Sequence, residues 1–179
     1  MEELPYEIER KFLIEYPSQN FISASEDISD IVQTYLVTEE KGVTERVRKR
    51  TKKGKSVFTH TRKMRVNDMR RIEYEDEVNG QKYNELLKRT DECRNVIIKK
   101  RICHNYKEQL FEIDLFSFWN DRAVMEIELK DENQAVEFPP EIKILKEITS
   151  DKRYTNASLA REIPMDKLSG NLKAVKASK

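Results

Sequence analysis

The chain predicts a β-dominated α+β fold, an eight-stranded antiparallel closed β-barrel with flanking helices, and three observations carry that expectation. Apolar and charged residues alternate with period two through most of the length. Turn-forming dipeptides (Lys53-Gly54, Asn67-Asp68, Asn79-Gly80, Asn120-Asp121) separate several of the alternating runs. Helical spacing is confined to a few short segments. About eight strands joined by hairpin-length turns can close or nearly close, with an interior wide enough for side chains and a small ligand.

The alternating runs follow in order. Residues 6–14 come first, then 31–37, 44–51, 56–65 and 70–78. A helix is expected over 81–91, where Tyr83, Leu86 and Leu87 share a face. Strands resume at 95–103, 109–116 and 123–130, with a short piece near 146–149. Further helices are expected over 132–138 and 156–162, and a short one near 25–29. Gly and Pro are scarce (4 and 5), so no flexible linker divides the 179 residues. Residues 1–168 read as one domain with its own core, and the polar, basic residues 169–179 as a disordered tail.

Composition narrows the function classes. Lys+Arg 34 against Asp+Glu 33 leaves a net charge of +1, too small a field to gather nucleic acid or anionic lipid. Yet 37% of residues are charged, against about 25% in ordinary soluble domains. Cys93 and Cys103 fit no zinc or redox spacing, and no run approaches the roughly 18 apolar residues of a membrane span. A cytoplasmic protein is expected. There is no phosphate-binding Gly-rich loop of the Gly-x-x-x-x-Gly-Lys-Ser/Thr or Gly-x-Gly-x-x-Gly type. His60 and His104 read as strand or surface histidines, Tyr35 and Trp119 as packing residues.

The surplus charge is organised by strand. Glu7, Glu9 and Lys11 share a face of the first strand; Arg46, Arg48 and Arg50 one of the third. Thr59, Thr61 and Lys63 share a face, as do Glu73, Glu75 and Glu77. Lys99 and Arg101, Glu112 and Asp114, and Glu126 and Glu128 complete the series. The solvated face of any antiparallel sheet alternates in this way, but it normally mixes signs, because like charges side by side repel. Most of these strands carry one sign only, which favours a charged interior. Clustered carboxylates are hard ligands suited to Mg²⁺ or Mn²⁺. Fixed Arg and Lys side chains suit phosphate oxygens, so the combination points to a small phosphorylated substrate bridged to a divalent metal.

These residues resemble a known family. Glu7-Ile-Glu-Arg-Lys11 is similar to the Glu-x-Glu-x-Lys signature of the CYTH domains, or triphosphate tunnel metalloenzymes, and the likeness runs on through Gln33-Thr-Tyr-Leu36, Arg46 to Arg50, Lys63, Glu73-Tyr-Glu75, Phe111 to Phe116, Met125-Glu-Ile-Glu128 and Asp151 to Asn156. The resemblance implies an eight-stranded tunnel and metal-dependent hydrolysis of a triphosphate, inorganic triphosphate first. It implies Glu7, Glu9, Asp114, Glu126 and Glu128 as metal ligands. It implies Lys11, Arg48, Arg50, Lys63, Lys99, Arg101 and one of Lys152 and Arg153 at phosphates, with Glu9, Lys11 and Lys99 closest to the chemistry and Glu73 and Glu75 as a supporting acidic patch. Two arginines are usual on the third strand, whereas Arg46, Arg48 and Arg50 all face one way, leaving the active pair open. Members of the family also include adenylate cyclases and thiamine triphosphatases, and a non-catalytic module binding polyphosphate or a nucleotide is the reading from another class. The edge of an unclosed barrel would favour a homodimer.

Overall fold

The computed structural model describes residues 8–65, 71–131 and 133–166. Glu7, the Asn67-Asp68 turn and the expected tail at 169–179 lie outside the described residues. Nine strands are present among them: β1 (Ile8–Glu15), β2 (Ile28–Leu36), β3 (Val43–Lys52), β4 (Lys55–Arg65), β5 (Arg71–Val78), β6 (Ile97–Tyr106), β7 (Gln109–Phe116), β8 (Arg122–Leu129) and β9 (Ile144–Glu147). They make one antiparallel sheet in the order β5-β4-β3-β2-β6-β7-β8-β1-β9. The antiparallel, helix-poor architecture is as expected. The eight-stranded closed barrel is corrected: there is a ninth strand, and among the described residues no ladder joins β5 to β9. β9 is only four residues long and shifts register opposite Leu13/Ile14, so it offers little edge on which to close.

Local chemistry explains the turns and caps. Lys53-Gly54, both at positive φ, turn β3 into β4 as the sequence suggests. Lys107 and Glu108 do the same between β6 and β7 at φ 47° and 61°, without glycine or asparagine. Each non-glycine residue in that region carries a cost of about 1–2 kcal/mol, so no turn signal marked it and β6 runs beyond residue 103 to Tyr106. The helix expected near 25–29 is instead α1 (Gln19–Ala24), capped by Ser18, whose hydroxyl accepts from the Phe21 amide at 3.2 Å; Ser29 is already in β2. α2 (Gly80–Leu87) starts at Asn79, whose side chain accepts from the Lys82 amide at 2.8 Å. α3 (Asn156–Leu159) follows a 3₁₀ turn at Lys152–Tyr154.

No helix forms over 133–138. The Gln109 side chain pairs with this segment at both ends of its amide, donating to the Ala135 carbonyl at 2.8 Å and accepting from the Glu137 amide at 3.0 Å. Phe138 then packs edge-on against Phe12 with ring centroids 5.0 Å apart. Pro139 disfavours helical backbone at its predecessor, so tertiary pairing overrides the spacing signal.

The outward face of β1, β6, β7 and β8 carries the largest apolar cluster, including Phe12, Ile14, Ile102, Phe111, Ile113, Met125 and Ile127, covered by Phe21, Ile22, Val136 and Phe138. A smaller cluster of Leu36, Val47, Tyr83 and Leu86 seats α2 on the outward face of β2 and β3. Beside it, buried Glu45 accepts from Arg89 at 2.7 Å and bonds the His60 ring at 2.7 Å. Burial alone would raise the Glu45 carboxyl, but Arg89 and His60 outweigh it and hold it below the ordinary carboxylate value. A carboxylate depressed in the fold stabilises above the unfolded pKa of about 4.3, and that contribution disappears as pH falls through the lower native value. Glu45→Gln is therefore expected to melt below the parent at pH 7 and to converge on it as pH falls below the carboxyl's lowered native value. A gap that stays constant across that range in thermal melts would overturn the assignment.

Candidate functional site

The opposite sheet face is charged, and register makes it continuous. Directly paired residues of antiparallel strands present side chains to the same side. Glu9 faces Glu128 and Lys11 faces Glu126 across β1 and β8; Glu126 faces Glu112 across β8 and β7. Asp114 faces Arg101, Arg101 faces Ser29, and Gln33 faces Arg48. Arg46 faces Thr61, Thr61 faces Glu75, and Lys63 faces Glu73. Lys99, Asp114 and Thr61 are at most 4% exposed on this face, and the Lys99 ammonium lies 5.4 Å from the centre of the Phe116 ring. The sheet therefore curls over its own charged face.

One end of that face is plugged. Leu13, Tyr35, Ile97, Phe116 and Val124 belong to it and pack against Ile148, Tyr154, Leu159 and Ala160, with Trp119 and Phe118 beside them. The Ile148 amide donates to the Lys11 carbonyl at 2.8 Å, and the Lys11 amide to the Thr149 hydroxyl at 3.0 Å. The C-terminal segment thus fixes the backbone from which Lys11 projects.

The acidic half lies on β1, β7 and β8, where Glu9, Glu112, Glu126 and Glu128 line a cavity of about 360 Å³. Lys11 bridges Glu9 at 2.9 Å and Glu126 at 2.8 Å. Burial would lower the Lys11 ammonium, but the two carboxylates outweigh it and raise it. Arg101 grips Asp114 bidentately, both contacts at 2.7 Å, and reaches Glu112 and, at 3.2 Å, Glu126. Lys99 contacts the Asp114 Oδ2 that Arg101 also holds. Burial pushes the Asp114 carboxyl up, while Lys99 and Arg101 more than offset it and hold it low. Burial likewise opposes the charge on Arg101, and Asp114, Glu112 and Glu126 reverse the effect.

The donor set fits a hard divalent cation, since five carboxylates (Glu9, Glu108, Glu112, Glu126 and Glu128) line one cavity and no cysteine or histidine does. Among the described residues, no three such groups converge on a point as the side chains stand, because Lys11 and Arg101 hold their oxygens. Asp114, expected as a ligand, is engaged by Lys99 and Arg101 instead. Glu112, not among the expected ligands, lines the cavity; its place two residues before Asp114 on the same face was the available signal.

The basic half lies on β3 and β4. Arg48 donates to Glu75 at 2.9 Å, Thr61 donates to Glu75 at 2.7 Å, and Lys63 pairs with Glu73 at 2.6 Å. Arg46 stands 3.8 Å from both glutamates. Arg50 donates to Ser29 at 2.9 Å and approaches the Cys103 sulfur at 3.8 Å. Burial, then repulsion from Arg46, Arg101 and Arg50, pulls the Arg48 guanidinium below its ordinary value despite Glu75. Arg46 Nε, Arg48 Nε and Thr59 Oγ1 are buried with no hydrogen-bond partner. Buried donors are normally satisfied, so this strip has a shortage of acceptors. Arg153 is engaged by Asp151 at 2.7 Å and by Asp166 at 3.0 Å, and Lys152 is exposed in the 3₁₀ turn.

Among the described residues no helix is long and apolar enough to cross a membrane. Comparison with known proteins agrees with the geometry. The CYTH domain model matches residues 5–161. The inorganic triphosphatase of Nitrosomonas europaea is 30% identical over 160 residues, covering 88% of this chain and 99% of that protein. The crystal structure of the inorganic triphosphatase NE1496 superimposes with a TM-score of 0.61 at 29% identity, covering 90% of this chain and 98% of the other. A second crystal structure, described as the hypothetical protein NE1496, gives a TM-score of 0.61 at 30% identity, covering 89% and 100%.

Proposed function

We propose, given that this chain belongs to the CYTH domain family, that it hydrolyses a linear triphosphate, inorganic triphosphate first, to diphosphate and phosphate with Mg²⁺ or Mn²⁺. The observation that carries this reading is the division of one curled sheet face into a carboxylate-lined cavity and a strip of guanidiniums short of acceptors. A triphosphate is the complement of both halves: it supplies oxygens to the strip and a further charge for the cation held opposite.

Glu9, Glu112, Glu126 and Glu128 would hold the divalent ion, with Glu7 preceding them in the chain. Such an ion, when bound, polarises phosphoryl oxygens and lowers the pKa of water. Arg46, Arg48, Arg50 and Lys63 align the phosphate chain along β3 and β4. Arg101, on β6 between the two halves, and Lys11, within the acidic half, neutralise charge that develops on the phosphoryl being transferred. Asp114 and Lys99 orient Arg101, because the bidentate grip leaves that guanidinium one plane to lie in. A glutamate of the acidic patch takes the proton of the attacking water.

The test is phosphate release from inorganic triphosphate, ATP and thiamine triphosphate with Mg²⁺, with Mn²⁺ and with chelator. Release from inorganic triphosphate that is abolished by chelator is expected. A folded protein that releases phosphate from none of the three overturns the hydrolase reading. Cyclic product from ATP would then indicate a cyclase, and metal-free thermal stabilisation by polyphosphate a binding module.

A further inference from the structure

We infer that Glu75, with Glu73 beside it, is a built-in substitute for phosphate: these β5 carboxylates hold Arg48, Arg46 and Lys63 in place before substrate arrives and must be displaced from them when it binds. The inference rests on the phosphate-binding reading of the basic strip.

Three observations support the exchange. Glu75 makes the contacts a phosphate oxygen would make, accepting from Arg48 at 2.9 Å and from Thr61 at 2.7 Å with Arg46 at 3.8 Å. Glu73 does the same for Lys63 at 2.6 Å. Second, the two carboxylates do not satisfy the strip, since Arg46 Nε, Arg48 Nε and Thr59 Oγ1 stay unpartnered beside them. An incoming anion therefore meets donors already oriented yet under-supplied. Third, among the described residues β5 is an edge strand paired only with β4, and Glu73 and Glu75 are 40% and 34% exposed as side chains. They can turn to water without breaking a second ladder. An oxygen with several negative neighbours competes well against a single carboxylate for a guanidinium fork.

The carboxylates hold Arg46 and Arg48 apart from one another's repulsion at a cost in affinity, because ligand binding must first undo their ion pairs. Removing that charge has the opposite sign from removing a support. Glu75→Gln keeps the size and the acceptor for Thr61 but gives up the charge on Arg48; Glu73→Gln does so at the more exposed Lys63 pair and serves if the first variant folds poorly. Calorimetric titration with inorganic triphosphate in chelator should show tighter binding in each variant, about fivefold for a half-exposed ion pair. KM for triphosphate in the presence of Mg²⁺ should fall in step. Binding that is unchanged or weaker in both variants, with the parent binding normally, overturns the exchange and leaves the phosphate reading intact. Absence of triphosphate binding by the parent, with and without Mg²⁺, overturns the phosphate reading itself.

Discussion

Glu9→Gln is expected to remove turnover while leaving the fold intact. The Glu9 side chain is 39% exposed, and Lys11 contacts it at 2.9 Å while also being held by Glu126. An ion pair of that exposure is worth about 0–1 kcal/mol, so the melting temperature should move by no more than a few degrees. The chemical cost is larger. Losing a partner that merely supports a metal ligand costs about 10–100-fold, and a direct ligand should exceed that, so kcat/KM at limiting Mg²⁺ should fall by upwards of about 100-fold. Raising the metal concentration should restore part of it, since the amide oxygen remains a weak donor. Steady-state phosphate release across a metal titration, beside a thermal melt, reads both quantities. Full activity at low metal would remove Glu9 from the ligand set.

Asp114→Ala should act in the opposite proportion, on stability first. Asp114 and Lys99 are 1% and 2% exposed as side chains, and Arg101 completes the group. Removing one partner of a buried pair strands the other charge and costs about 3–5 kcal/mol. At about 2–4 °C per kcal/mol for a chain of this size, the melting temperature should drop by roughly 6–20 °C. The double variant Lys99→Met/Asp114→Leu should recover most of that loss, because no buried lysine is left unpaired and Glu112 and Glu126 still hold Arg101. It should not recover turnover, since Arg101 has lost its bidentate clamp. A single variant as stable as the parent would show that the triad is not the buried charge group described here.

The strands were legible because period-two alternation is a direct consequence of the pleat, and it is cleanest on β1, β7 and β8, where Phe12, Phe111, Ile113, Met125 and Ile127 alternate with Lys11, Glu112, Asp114, Glu126 and Glu128. The charged residues of the site were legible for the same reason: once Glu9, Lys11, Arg48, Arg101 and Glu126 point one way along their own strands, pairing alone brings them together. What local pattern cannot carry is what a side chain meets across the sheet. Asp114 and Glu112 are equivalent in alternation, yet one is sealed under Lys99 and Arg101 and the other opens on the cavity. The segment 133–138 has helical spacing and is held extended by Gln109 and Phe138. The Lys107-Glu108 turn uses residues that turn chemistry disfavours. Lys152 and Arg153 share a basic character with the site, but Arg153 is claimed by Asp151 and Asp166.

The pairing of β1 with β8 and β9 also bears on how the molecule is made. Arg10 bonds Glu147, 137 positions further along the chain. A ribosome releases β1 first and its neighbours last, at about 5–20 residues per second, so the opening strand waits roughly 7–30 seconds with Phe12 to Ile14 uncovered and Lys11 unmatched. Closing so long a loop is slow and unrewarded until the final strands emerge. A fragment ending before β8 lacks Glu126 and Glu128 and the strand that brings Glu9 beside Glu112, so loss of the last strands should dismantle the acidic half as a unit.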